Sequence, residues 1–191
     1  MIEFKERGIL IFSKISSENN LYLKFLTQKD EIITGLSFGG STKKKKNIFQ
    51  IGYFLNIVIK NKNKNFPNSI SAELSKPYYH NIFNDKYKLH ALLTLVSLLN
   101  ISIIEGQKVS GLFNLSENII EILANEKKWI INYFIFLLNL LKIIGYDIDY
   151  QKNTSKDYLN LDSLQFSNSS ITKSIKFPHL LLNSKININV E

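Results

Sequence analysis

With 191 residues, 45% of them hydrophobic, the chain is long enough for one compact domain or for two small ones sharing an interface. A formal charge of +8 and a pI of about 9.4 favour an anionic partner. Cysteine is absent, which excludes disulfides and thiolate metal sites.

The charge is concentrated early. Residues 1–80 hold 13 Lys/Arg against 6 Asp/Glu, whereas residues 81–191 hold 11 against 10. The opening MIEFKERG is charged and lacks the apolar core of a signal peptide. Residues 8–15 (GILIFSKI) are apolar and β-branched, and predict a first strand. Residues 21–27 alternate, with Leu21, Leu23, Phe25 and Thr27 on one face and Tyr22, Lys24 and Leu26 on the other. A polar turn, Gln28-Lys29-Asp30, leads to a third strand over 31–38. That strand breaks at Gly39-Gly40 into four consecutive lysines, Lys43, Lys44, Lys45 and Lys46. Adjacent like charges repel, so this loop belongs at the surface, where a basic loop on a β scaffold can grip a phosphate backbone. A fourth strand is predicted over 53–60 and a short fifth over 69–74, separated by the basic, Asn-rich excursion NKNKNFPNS. Five strands with a long loop between the third and fourth fit a small OB barrel; periodicity does not separate it from an SH3-like one.

Pro77 and the polar stretch 81–86 mark a boundary, after which the period becomes 3.6. Leu89, Leu92, Leu93, Val96 and Leu99 share one helical face. Ser116 is the predicted N-cap of a second helix, with Glu117 in its first turn. A long apolar helix over 129–144 ends at Gly145; Asn132, Asn139 and Lys142 interrupt it, so it reads as a buried helix and not a membrane span. Beyond Asp147 the chain is polar, residues 159–166 are ambiguous, and the tail carries one apolar patch at 177–182.

No enzyme chemistry is legible. Gly35 and Gly40 have P-loop spacing, but Ser41 stands where the lysine is required. His80, His90 and His179 lie far apart, and the pair Asp147 and Asp149 has no third ligand nearby. The expectation is a non-enzyme without metal or cofactor.

The order of features resembles the bacterial RecO recombination mediators. The matching stretches run from ERGILIFSKISSENNLYLKFLTQKDEIITGLSFGGSTKKKKNIFQIG to FLLNLLKIIGYDIDY. The family's opening strand motif corresponds to residues 6–10, its second-strand motif to 26–30 and its Gly-rich basic loop to 39–46. Its Gln-Pro-Gly turn corresponds to 49–52, with Ile51 replacing the usual proline. The resemblance implies an α+β chain: an N-terminal five-stranded OB-fold barrel (1–80) followed by an α-helical domain (81–191) with a polar C-terminal region. It implies binding to single- and double-stranded DNA, strand annealing, and recombinase loading on DNA coated by single-strand-binding protein, with a RecR-type partner, in the bacterial cytoplasm. Many relatives carry a zinc-binding cysteine set after the last long helix; residues 151–154 hold none, so no zinc site is expected. The chain ends soon after Leu182, where a longer C-terminal region would supply further contacts.

On this reading Lys43, Lys44, Lys45 and Lys46 neutralise phosphates, Lys60, Lys62 and Lys64 extend the patch, and Arg7 and Lys24 add to it where their strand faces allow. Tyr22, Phe38 and Phe49 are stacking candidates, with barrel core the expected place of Phe38 and Phe49. Lys127, Lys128 and Lys142 are the cations beside the apolar helix, to which the resemblance brings the acidic, Phe-ended tail of single-strand-binding protein. Two other readings share the lysine run: an RNA-binding or ribosome-associated OB protein, and a protein held at an anionic membrane surface.

Overall fold

The structure, a computed structural model, describes residues 2–17, 19–61, 66–76, 79–146, 148–150, 152–153 and 155–179. Five strands form a closed barrel in the order β1-β2-β3-β5-β4: β1 (Ile2–Ser17), β2 (Asn20–Thr27), β3 (Ile32–Ser37), β4 (Phe54–Asn61) and β5 (Ser69–Leu74). This is the OB arrangement; the SH3-like alternative falls away. β1 begins earlier than its composition suggests, because its charged first half pairs with β4 while its second half pairs with β2. Gly8 lies in both ladders, opposite Thr27 and Leu55, and a Cβ there would press on the Leu26 carbonyl at 3.2 Å. β3 and β5 close the barrel through a parallel contact, Leu36 opposite Ser69. Gly35 permits it, since a Cβ would sit 2.6 Å from the Asn68 carbonyl oxygen.

The alternation read in β2 holds, as Leu21, Leu23 and Phe25 join Leu10, Phe49, Leu55, Ile57, Ile59 and Ile70 in the barrel core. Leu26 is buried too, on the outer side of the wall.

The helices are α1 (Tyr79–Phe83), α2 (Lys86–Ser102), α3 (Leu112–Asn125) and α4 (Ile130–Ile143). Asp85 caps α2, accepting from the backbone N–H of Tyr87 and Lys88. Two details of the helical reading need correction. Leu93 is 41% exposed, because the buried stripe runs through Ala91, Leu92, Leu95, Val96 and Leu99. Ser116 does not open α3 but lies fully buried inside it. The cap comes from the barrel: Asp30, in the β2–β3 turn, accepts from Gly111 N–H and Phe113 N–H, both at 2.8 Å.

The chain divides into two compact units, Met1–Asn125 and Glu126–Glu191. In the first, barrel and helices are cross-tied, with Phe54 meeting Phe113 edge to face at 6.3 Å. The second contains α4 and a small antiparallel sheet that the polar sequence did not announce. Its strands, β6 (Tyr158–Asn160), β7 (Phe166–Ser167) and β8 (Ser174–Lys176), are ordered β7-β6-β8. Leu138, Leu159, Phe166 and Phe177 form its core, and Phe166 meets Phe177 at 5.0 Å. Among the described residues, no helix is long and apolar enough to cross a membrane.

Candidate nucleic-acid interface

The basic loop is folded, not a slack excursion. Gly39 takes a left-handed φ of +66° and donates its N–H to the Asn20 side chain. Ser41 N–H reaches the Asn19 carbonyl at 3.1 Å, tethering the loop to the β1–β2 turn. The Thr42 hydroxyl donates to the Gly39 carbonyl at 2.8 Å, and the Thr42 carbonyl accepts from the N–H groups of Lys45 and Lys46. The last of these closes a single helical turn across the lysine run. All four lysine side chains are exposed, and the Lys45 ammonium also donates to the Phe38 carbonyl at 3.1 Å.

The return is equally constrained. Phe49 plugs into the barrel core. Gln50 to Tyr53 forms a turn in which Gly52 has φ +86°, and its N–H donates to the Leu10 carbonyl on β1. A Cβ at Gly52 would lie 2.9 Å from the Leu92 side chain, so the turn also rests on α2. The lysine turn is therefore anchored at its start by hydrogen bonds to Asn19 and Asn20 and at its end by the buried Phe49 ring and the Gly52–Leu10 hydrogen bond.

The aromatic candidates separate. Phe49 is core, as expected, but Phe38 is 59% exposed at the mouth of the loop. The strand ends at Ser37, so Phe38 escapes the inward–outward alternation. Tyr22 is partly buried on the barrel's outer surface, edge to face with Phe12.

The remaining cations divide by surroundings. Arg7 donates to Glu117 at 2.7 Å and lies over the Phe113 ring, in a network with Lys76 and Glu121. Lys24 donates to the carbonyls of Asn100 and Ile103 at the C-terminal end of α2, where cations are favoured. Burial lowers the pKa of Lys24, while the nearby Glu105 carboxylate raises it. Lys60 pairs with Glu3 at 3.0 Å on the exposed barrel wall. Lys62 and Lys64 lie outside the described residues. Lys127, Lys128 and Lys142 are exposed in the second unit. Among the described residues, no group of three His, Asp or Glu side chains could hold a metal ion.

Sequence reading passed over Lys14. It is exposed near the end of β1 and lines, with Lys46, a groove of about 510 Å³ beside the loop. The signal was available only as pairing register: Lys14 stands opposite Tyr22 in the long β1–β2 ladder.

A closed OB barrel carrying an anchored, exposed basic loop is an arrangement that many nucleic-acid-binding proteins share. Comparison with known proteins narrows it. The family described as "Recombination protein O C terminal" matches residues 84–157. Proteins named DNA repair protein RecO match more broadly. That of Rickettsia canadensis (strain McKiel) is 26% identical over 151 residues, covering 79% of this chain and 62% of the relative. That of Rickettsia bellii (strain OSU 85-389) is 27% identical over 160 residues, covering 82% and 66%. That of Rickettsia akari (strain Hartford) is 25% identical, covering 100% and 84%. The chain is similar to these RecO proteins, at modest identity, over most of its length, and spans a little under two thirds of the first two.

Proposed function

We propose that this protein acts in DNA repair and recombination as a mediator. It binds single- and double-stranded DNA through the basic loop, anneals complementary strands, and helps load recombinase where single-strand-binding protein covers the DNA. A RecR-type partner and the tail of single-strand-binding protein are its protein contacts, and the recombinase is reached indirectly. The observation that carries this reading is the lysine turn itself. Four like charges on one exposed helical turn repel each other, and phosphates relieve that repulsion while releasing counterions. The names of the relatives supply the biological setting. Lys43 to Lys46 make the primary contacts, and Lys60, Lys62 and Lys64 extend them. Arg7 and Lys24, engaged internally, serve the interface by fixing the barrel to its helices.

The test is salt dependence. Four lysines on four phosphates of a single strand contribute about −3 to the slope of log K against log salt. Alanine at Lys43, Lys44, Lys45 and Lys46 together should weaken binding to every DNA sequence alike and flatten the slope by that amount. An unchanged slope would overturn the reading. Tighter binding of structured RNA than of DNA in the same titration would favour an RNA-binding protein instead.

A further inference from the structure

We propose that the groove beside the lysine turn is a seat for an unstacked base of single-stranded DNA. The inference rests on the DNA-binding reading above and deepens it by naming where a base goes. The groove lies between the end of β1, the basic loop, the Phe49 turn, α1 and α2. Its volume, about 510 Å³, is of the size that accepts a small organic group. Its apolar walls are open to solvent: Ile15 is 65% exposed, and Phe83 and Leu93 are each 41% exposed. Phe49 closes the floor. Lys14 and Lys46 stand on the rim, and among the described residues no carboxylate lines it.

An apolar slot with two cations at its edge suits a planar, uncharged ring attached to an anionic backbone. Two observations favour a base over an acidic peptide. Lys46 belongs both to the lysine turn and to the groove, so a strand whose phosphates follow the turn passes directly over the slot. Phe83, tilted against Tyr53 at 6.1 Å, presents aromatic surface at the mouth, the surface on which bases stack. Duplex DNA keeps its bases stacked inside the helix and cannot use the slot. The groove therefore distinguishes single strands from duplex, while the lysines do not.

The probe is a labelled strand of about 20 thymidylates, longer than one OB footprint, compared with the same strand carrying abasic residues through its centre. Both keep every phosphate. The intact protein should bind the abasic strand about ten-fold more weakly, with the same salt slope. Phe83→Ala with Leu93→Ser should bring the thymidylate strand down to the abasic level and leave duplex binding unchanged. The wild-type comparison decides the matter by itself should that variant misfold. Equal affinity for the two strands, with the loop lysines still required, overturns the base seat and leaves DNA binding intact. Loss of loop-dependent binding to both strands overturns the parent reading as well. Displacement of the base preference by an acidic, Phe-ended peptide that ignores Lys43→Ala would make the occupant a peptide and sink the proposal.

Discussion

Phe38 and Phe49 sit eleven positions apart on the same loop, yet one is solvent-facing and the other is core. Composition could not separate them, because both adjoin glycine-rich turns in which strand alternation has lapsed. Their fates follow from where the backbone is pinned: Phe49 precedes a turn bonded to β1, whereas Phe38 follows the last paired residue of β3. Phe38→Ala should therefore weaken single-strand binding by roughly five-fold or more if the ring stacks on a base. Its exposure predicts a melting temperature that barely moves, since exposed substitutions stay within about 0.5 kcal/mol. Anisotropy paired with a thermal melt separates the two effects. Gly52 should respond in the opposite way. Alanine there meets both a left-handed φ and the Leu92 side chain, so it should cost roughly 1–3 kcal/mol and shift the denaturant midpoint before it touches affinity.

Among the elements, the barrel strands were legible as short apolar runs bounded by turn residues, with clear alternation in β2, and their predicted spans agree with the observed ones to within a few residues, except at the start of β1. Ser116 shows where local reading fails. It has the right chemistry for an N-cap, but the cap of α3 arrives from Asp30, 83 positions from Phe113. No window along the helix contains that information. The two assignments predict opposite outcomes. As an N-cap, Ser116→Ala would cost about 1 kcal/mol. As a buried hydroxyl with no partner among the described residues, its removal should be neutral or stabilising. Asp30→Ala, in contrast, should lose about 1–2 kcal/mol by releasing two helix N–H groups. Chemical denaturation of both variants checks the pair. The small sheet of the second unit was hidden for a different reason. Strands of two or three residues carry no period, and their cohesion comes from rings far apart in sequence, such as Phe134 and Phe177.

For the whole molecule, the first unit is more than a barrel. Asp30 on α3, Lys24 on the end of α2 and Arg7 on Glu117 are three polar ties from strands or their turn to helices. A fragment of residues 1–125 should fold cooperatively, whereas residues 1–80 alone should lose protection in hydrogen exchange, because those partners and the apolar face under α2 would meet water. The mediator reading adds two expectations. Annealing of complementary strands should proceed in excess chelator and without nucleotide; dependence on ATP or on zinc would contradict it. An acidic, Phe-ended peptide should bind at around micromolar strength, near −8 kcal/mol, and tolerate alanine at Lys43 to Lys46. Charge reversal at Lys127, Lys128 and Lys142 should abolish that binding, as read by peptide anisotropy.

The hydrogen bonds that hold the lysine turn also make the fold a sensor of its own occupancy. Because the Thr42 and Gly39 bonds fix four cations together before any anion arrives, the native state carries a repulsion that the unfolded chain relaxes by spreading out. Any polyanion bound by the turn removes that penalty only in the folded form. Saturation at 100 times the dissociation constant would add about 2.7 kcal/mol of stability. Melting temperature, followed against increasing oligonucleotide, thus becomes a label-free binding isotherm, and the quadruple alanine variant should start higher and climb less.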